Sequence, residues 1–169
     1  GAAHWVLKAP AHLAYLKYLV AQYPDAAIVW THRRPLDAIS SFSSLVCTLQ
    51  GGFSDTVNPL TIGEHEAQHF SKIVKTGMSD RHALTHNQIF DVSFSALCTD
   101  PVSVIRSLYD YFGMPLSREA ENRMQEYLTQ HPRHLHGEHT YSPGNFGLGD
   151  IREGELYPDY LACFDRYLH

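Results

Sequence analysis

Asp25-Ala-Ala-Ile-Val-Trp-Thr-His-Arg-Arg-Pro-Leu-Asp-Ala-Ile-Ser-Ser-Phe-Ser-Ser-Leu45 is the stretch on which the fold turns. Ala26 to Thr31 is a short apolar run and predicts a buried strand. Arg33 and Arg34 occupy a turn, and Pro35 suits the first position of a helix, where its missing N–H has no partner to lose. Beyond it Ala38, Ile39, Phe42, Leu45, Val46 and Leu49 recur at helical spacing, with Asp37, Ser41, Ser44 and Thr48 on the other side. Arg33 thus stands at the carboxyl end of a strand, and Ser41 lies about two turns into the next helix. In open α/β sheets ligands bind at that edge. A guanidinium fork matches phosphate oxygens and a hydroxyl adds one further hydrogen bond. The plain alternative is a surface arginine beside a polar helix face.

On the amino-terminal side, His4-Trp-Val-Leu-Lys-Ala-Pro10 predicts a strand ending near Lys8. A helix follows, with Leu13, Leu16, Leu19, Val20 and Tyr23 on one face and Pro24 as its stop. Strand, helix, strand, helix implies a parallel sheet with crossover helices. Lys8 and Arg33 are then expected at the same sheet edge.

On the carboxyl side, Gln50 to Asp55 reads as loop, and Thr61-Ile-Gly-Glu64 has capping-box spacing. Ile62, Phe70, Ile73, Val74 and Met78 predict a helix of roughly four turns. Ile89 to Phe94 predicts a strand. Asp100-Pro101 starts a helix with Val104, Ile105, Leu108 and Phe112 inward, ended by Gly113. Another helix is expected from Ser117 to Thr129, then a long polar loop over residues 131–150 and a short helix from Tyr157 to Tyr167.

The 169 residues fit one domain with a real core, 44% hydrophobic and 18% charged. A formal charge of −5 argues against a nucleic-acid footprint, which needs a basic patch. No apolar run reaches membrane-spanning length and no signal peptide is evident, so a cytoplasmic location is expected. Cys47, Cys98 and Cys163 are too scattered for a disulfide framework or a metal pair.

Trp5-Val-Leu-Lys-Ala-Pro-Ala-His-Leu13, followed by Tyr23 to Asp37 with Ser41 eight residues after Arg33, resembles the PAPS-dependent sulfotransferases, especially a broad, largely bacterial branch. PAPS is 3′-phosphoadenosine 5′-phosphosulfate, the sulfuryl donor, and PAP is its desulfated product. Phe90 to Pro101 is similar to that family's strand-then-Asp-Pro segment. Gly137-Glu-His-Thr-Tyr-Ser142 with Phe146-Gly-Leu148 is similar to its closing loop. The resemblance implies a P-loop-NTPase-like α/β fold, a parallel sheet with flanking helices. It also implies a single domain over residues 1–169 in which residues 131–150 cover the nucleotide. The implied activity moves a sulfuryl group from PAPS to a hydroxyl or amine of a small-molecule, sugar or lipid acceptor, without a metal. Arg33 and Ser41 would then hold the 3′-phosphate, Lys8 would sit near the transferring group, and His12 is a possible general base. Phe94 would lie near the adenine, and His139 and Tyr141 would fold over the nucleotide together with the basic Arg133 and His136.

Two departures accompany the resemblance. Better-known members carry the basic histidine two residues after the lysine, where this chain has Pro10. The glycine- and serine-containing loop that grips the 5′-phosphosulfate is absent, which implies a carboxyl-terminal portion truncated at its N-terminus. An open sheet edge would then invite a homodimer or association with the missing portion.

Two rival signals involve histidine, of which there are 12. His65-Glu66-Ala-Gln-His69 matches the zinc-protease pattern, two imidazoles one helical turn apart with a glutamate base, but a zinc site needs a third protein ligand. His131, His134, His136 and His139 could bind a metal or simply face solvent or an anionic nucleotide. A non-catalytic adenine-nucleotide-binding module using Arg33 is the third alternative. An upstream phosphate loop would mark the enzyme.

Overall fold

Two parallel strands, β1 (Ile28–His32) and β2 (Ile89–Ser93), pair from Ile28 opposite Ile89 to His32 opposite Ser93. They form the sheet of a computed structural model that describes residues 5–132 and 141–169. Side chains alternate along a strand, so Trp30 and His32 of β1 enter the core while Val29 and Thr31 face outward. β1 is therefore buried on one face only. Helices surround the pair: α1 (Leu16–Gln22), α2 (Pro35–Gly51), α3 (Pro59–Asp80), α4 (Phe94–Thr99), α5 (Pro101–Tyr111), α6 (Arg118–Gln130), α7 (Glu153–Leu156) and α8 (Pro158–Phe164). The fold is α/β, parallel and mostly helical. No helix among the described residues is long and apolar enough to cross a membrane.

Local chemistry explains the element ends. Asn58 caps α3, accepting from the Leu60 and Thr61 N–H groups, and Pro59 takes the first position. The helix thus begins before the capping box expected at Thr61 and runs 22 residues, beyond the expected four turns. Asp100 accepts from Ser103 N–H at the start of α5, and Gly113 ends it at φ +64°. There Met114 N–H donates to Tyr109 O and Gly113 N–H to Asp110 O, a Schellman closure that favours glycine.

The core gathers Trp30, Ile39, Ala67, Ile89, Phe146 and Leu148 with Tyr157, Tyr160 and Phe164 from the last helices. α2 and α3 pack together, with Phe42 edge-on to Phe70 at 5.1 Å. Three expectations are corrected. Residues 5–9 form no strand: Trp5 and Val6 are exposed, and without a neighbouring strand their backbone has no ladder to join. On α2 the buried set is Pro35, Ile39, Ser40 and Ser43, while Leu45 and Leu49 face solvent. The described end of the 131–150 loop is partly core, since Phe146 and Leu148 are buried there.

Candidate functional site

The parallel register dictates what meets at the carboxyl edge of the sheet. His32 lies opposite Ser93, so the chains leave the sheet side by side as Arg33 and Phe94. Ser93 caps α4 by accepting from Ala96 N–H, which makes Phe94 the first residue of a helix rather than a strand residue. The Arg33 guanidinium lies over the Phe94 ring, 4.7 Å from its centroid, a cation–π contact. Its Nη2 donates to the Tyr141 hydroxyl at 3.3 Å. Burial opposes ionisation of Tyr141, but hydrogen bonding with Ser41 and Arg33 and the Arg33 charge outweigh it and hold the phenol below its ordinary value. Arg33, Ser41, Phe94 and Tyr141, separated widely in sequence, thus converge. A cleft of about 350 Å³ opens beside Arg33 and Phe94, walled by Cys98, Thr99, Tyr167 and His169.

Arg34 is spent differently. It donates to Glu153 Oε2 at 2.5 Å, and Glu153 Oε1 accepts the Leu36 N–H at 2.8 Å. Glu153 therefore serves α2 as a cap borrowed from α7, at the helix end that favours negative charge. Arg33 has no carboxylate partner among the described residues. Of the two arginines it is the one whose charge remains available to an anion.

Beneath this edge lies a network that the sequence reading passed over. His32 has no solvent exposure; its Nε2 is 2.8 Å from Asp91 Oδ1 and its Nδ1 3.0 Å from the Tyr160 hydroxyl. Arg81 grips Asp91 with both Nη atoms, at 2.8 and 2.6 Å. Burial lowers the His32 pKa more than Asp91 raises it. Burial pushes Asp91 up, but bonds from His32 and Arg81 prevail and leave its carboxyl below the usual range. The available signals were period-two placement of His32 with Trp30 and a carboxylate inside the apolar run Ile89 to Phe94.

The expected catalytic pair is not part of the cluster. Lys8 is exposed on the segment preceding the 3-10 turn Pro10–Tyr15 and makes no side-chain hydrogen bond or ion pair among the described residues. His12, half-buried in that turn, makes no side-chain hydrogen bond there either. Arg133, His134, His136 and His139 lie outside the described residues. His65 and His69 stack at 5.9 Å on α3, with His65 Nδ1 3.1 Å from Glu66 Oε1. No group of three potential metal ligands occurs among the described residues, where His65 and His69 have no third ligand of the kind a zinc site needs. A larger cleft of about 490 Å³ sits at the opposite end of the strands, near Pro24 and Gln88. Its one cation, Lys17, is drawn to Asp80 at 3.8 Å, so it offers an anion less than Arg33 does.

Comparison with known proteins places this geometry in context. A profile described as the sulfotransferase family matches residues 1–118. A search of curated proteins finds no significant match. The fold is similar to that of sulfotransferase STF9 from Mycobacterium avium, with a TM-score of 0.84 and 26% identity over 95% of this chain and 42% of that one. It is also similar to sulfotransferase STF1 from Mycobacterium tuberculosis H37Rv, with a TM-score of 0.75 and 28% identity over 94% of this chain and 40% of that one. The chain spans about two fifths of the length of these solved relatives.

Proposed function

The chain belongs to the sulfotransferase family, and on that premise we propose that it carries the 3′-phosphate side of a PAPS site in an enzyme that sulfates a hydroxyl or amine. One observation carries the reading: a cation without a carboxylate partner among the described residues, lying over an aromatic ring beside a serine at the carboxyl end of a parallel strand. Arg33 and Ser41 bind the 3′-phosphate, Phe94 packs near the adenine, and Tyr141 belongs to the covering segment, residues 131–150, that also holds His139. In the reaction the acceptor oxygen or nitrogen attacks sulfur while the bond from sulfur to the bridging oxygen of PAP breaks. The acceptor proton passes to a base, for which His12 is the candidate, and Lys8 steadies charge on the departing oxygen. Such transfer asks the protein mainly for in-line positioning and for dispersal of negative charge.

A titration of ¹⁵N-labelled protein with PAP tests the location. Shifts concentrated at Arg33, Ser41, Phe94 and Tyr141 are expected. Shifts confined to Lys17, Val20 and Gln88, or none anywhere, would contradict the reading.

A further inference from the structure

Arg33 Nη2 donates to the Tyr141 oxygen at 3.3 Å while the same guanidinium lies over the Phe94 ring. Ser41 is the other hydrogen-bonding partner of that oxygen. Burial opposes ionisation of the phenol and the bond with Ser41 favours it, so in that bond the Ser41 hydroxyl donates. A single phenol oxygen therefore receives one hydrogen bond from each of the two side chains assigned above to the phosphate. Proton counting makes the two occupants exclusive at Ser41. A serine has one hydroxyl proton, and Ser41 cannot give it to Tyr141 and to a phosphate oxygen at once. Arg33 has donors to spare; Ser41 has none. The contact is also easily released. At 3.3 Å the bond from Arg33 is longer than an ordinary N–H to oxygen bond, whereas bonds to a phosphate are charge-assisted, shorter and about twice as strong.

We propose that the Tyr141 hydroxyl is an internal competitor for the anion: it holds the Ser41 proton and one Arg33 amino group in the empty site, and a phosphate oxygen must displace it to bind. The contact refills the site as the anion leaves, and so favours release of a phosphorylated nucleotide over its retention. That the anion is a nucleotide 3′-phosphate rests on the donor-site reading above; the competition at Ser41 holds for any phosphate that enters there.

The Tyr141 ring packs against the core, and Tyr141→Phe keeps that ring while removing the hydroxyl. Two readouts decide. Without ligand, the Tyr141 phenol should titrate higher in Ser41→Ala than in wild type, because the bond that favours its ionised form is gone. An unchanged titration overturns the competition whether or not PAP binds. With PAP, calorimetry should show Tyr141→Phe binding roughly threefold to tenfold more tightly than wild type, and the gain should shrink or vanish in a Ser41→Ala background. Weaker binding by Tyr141→Phe would make the hydroxyl a ligand of the phosphate and overturn the proposal. Unchanged affinity, or the same gain in both backgrounds, overturns it too. If neither wild type nor Tyr141→Phe binds PAP, the donor-site reading fails, and the same comparison with inorganic phosphate decides the competition. Tighter phosphate binding by Tyr141→Phe that needs Ser41 upholds it, and no phosphate binding by either protein overturns it.

Discussion

Arg34 gives its charge to Glu153, whose second oxygen accepts an N–H at the start of α2, whereas Arg33 faces Phe94 and Tyr141. The sequence pairs the two arginines without ranking them for ligand binding or scaffold. Glu153 lies 119 residues from Arg34, and only folding brings it there. His32 carries a consequence for pH. Its folded pKa lies below the ordinary 6.5 chiefly through burial, against the raising effect of Asp91. Below that pH the unfolded chain takes up a proton that the folded protein refuses, so stability falls with pH from about 6.5 down to the depressed folded value and then levels. Asp91 has the opposite charge type. Its contribution is full above the ordinary 3.8 and is lost as pH falls through its lowered folded value. Thermal melts between pH 8 and pH 5 should show the melting temperature dropping as pH falls below about 6.5, with the His32 ring titrating by NMR below its ordinary value in the folded protein. A His32 ring that titrates at or above that ordinary value would refute this.

At the level of elements, α3 is the rod against which the rest is assembled. A Cβ added at Gly63 would lie 2.0 Å from Phe146 O, and one at Gly77 would lie 2.4 Å from Leu13 Cδ1. The first neighbour is backbone and cannot swing aside. Gly63→Ala would gain about 1 kcal/mol of helix propensity, but overpacking a tight contact costs about 1–3 kcal/mol or more. The expected result is a net destabilisation, seen as a lower denaturant midpoint, whereas Gly51→Ala, with nothing within 4 Å, should be neutral or better. Gly63→Ala as stable as wild type would show that α3 does not need this close approach. The course of α2 was legible from Pro35 and its apolar period, yet its buried face was not. Periodicity favoured Leu45 and Leu49, but the fold buries Ser40 and Ser43 and leaves both leucines exposed. Small hydroxyl residues fit where helices run close, and Ser40 Oγ is satisfied by Leu36 O at 2.7 Å. The expected strand fails over residues 5–8 for a different reason, because a strand exists only with a partner and apolar composition supplies none.

For the whole molecule, the parallel crossover between β1 and β2 does the organising. It brings Arg33 and Phe94 out side by side, and the returning chain adds Tyr141 above them and Tyr160 beneath. The strand-end arginine and the helical serine could be read in sequence because they lie on consecutive elements. The His32 network could not, since it draws members from β1, the segment after α3, β2 and α8. Long-range closure is also what separates the accessible cation from the paired one. The most direct test is titration calorimetry with PAP on wild type and Arg33→Ala. Micromolar binding is expected, and loss of a charge-assisted phosphate contact of about 1.5–3 kcal/mol should weaken it roughly tenfold to a hundredfold. Equal affinity in the two proteins, or no binding by wild type, would contradict a 3′-phosphate site at Arg33.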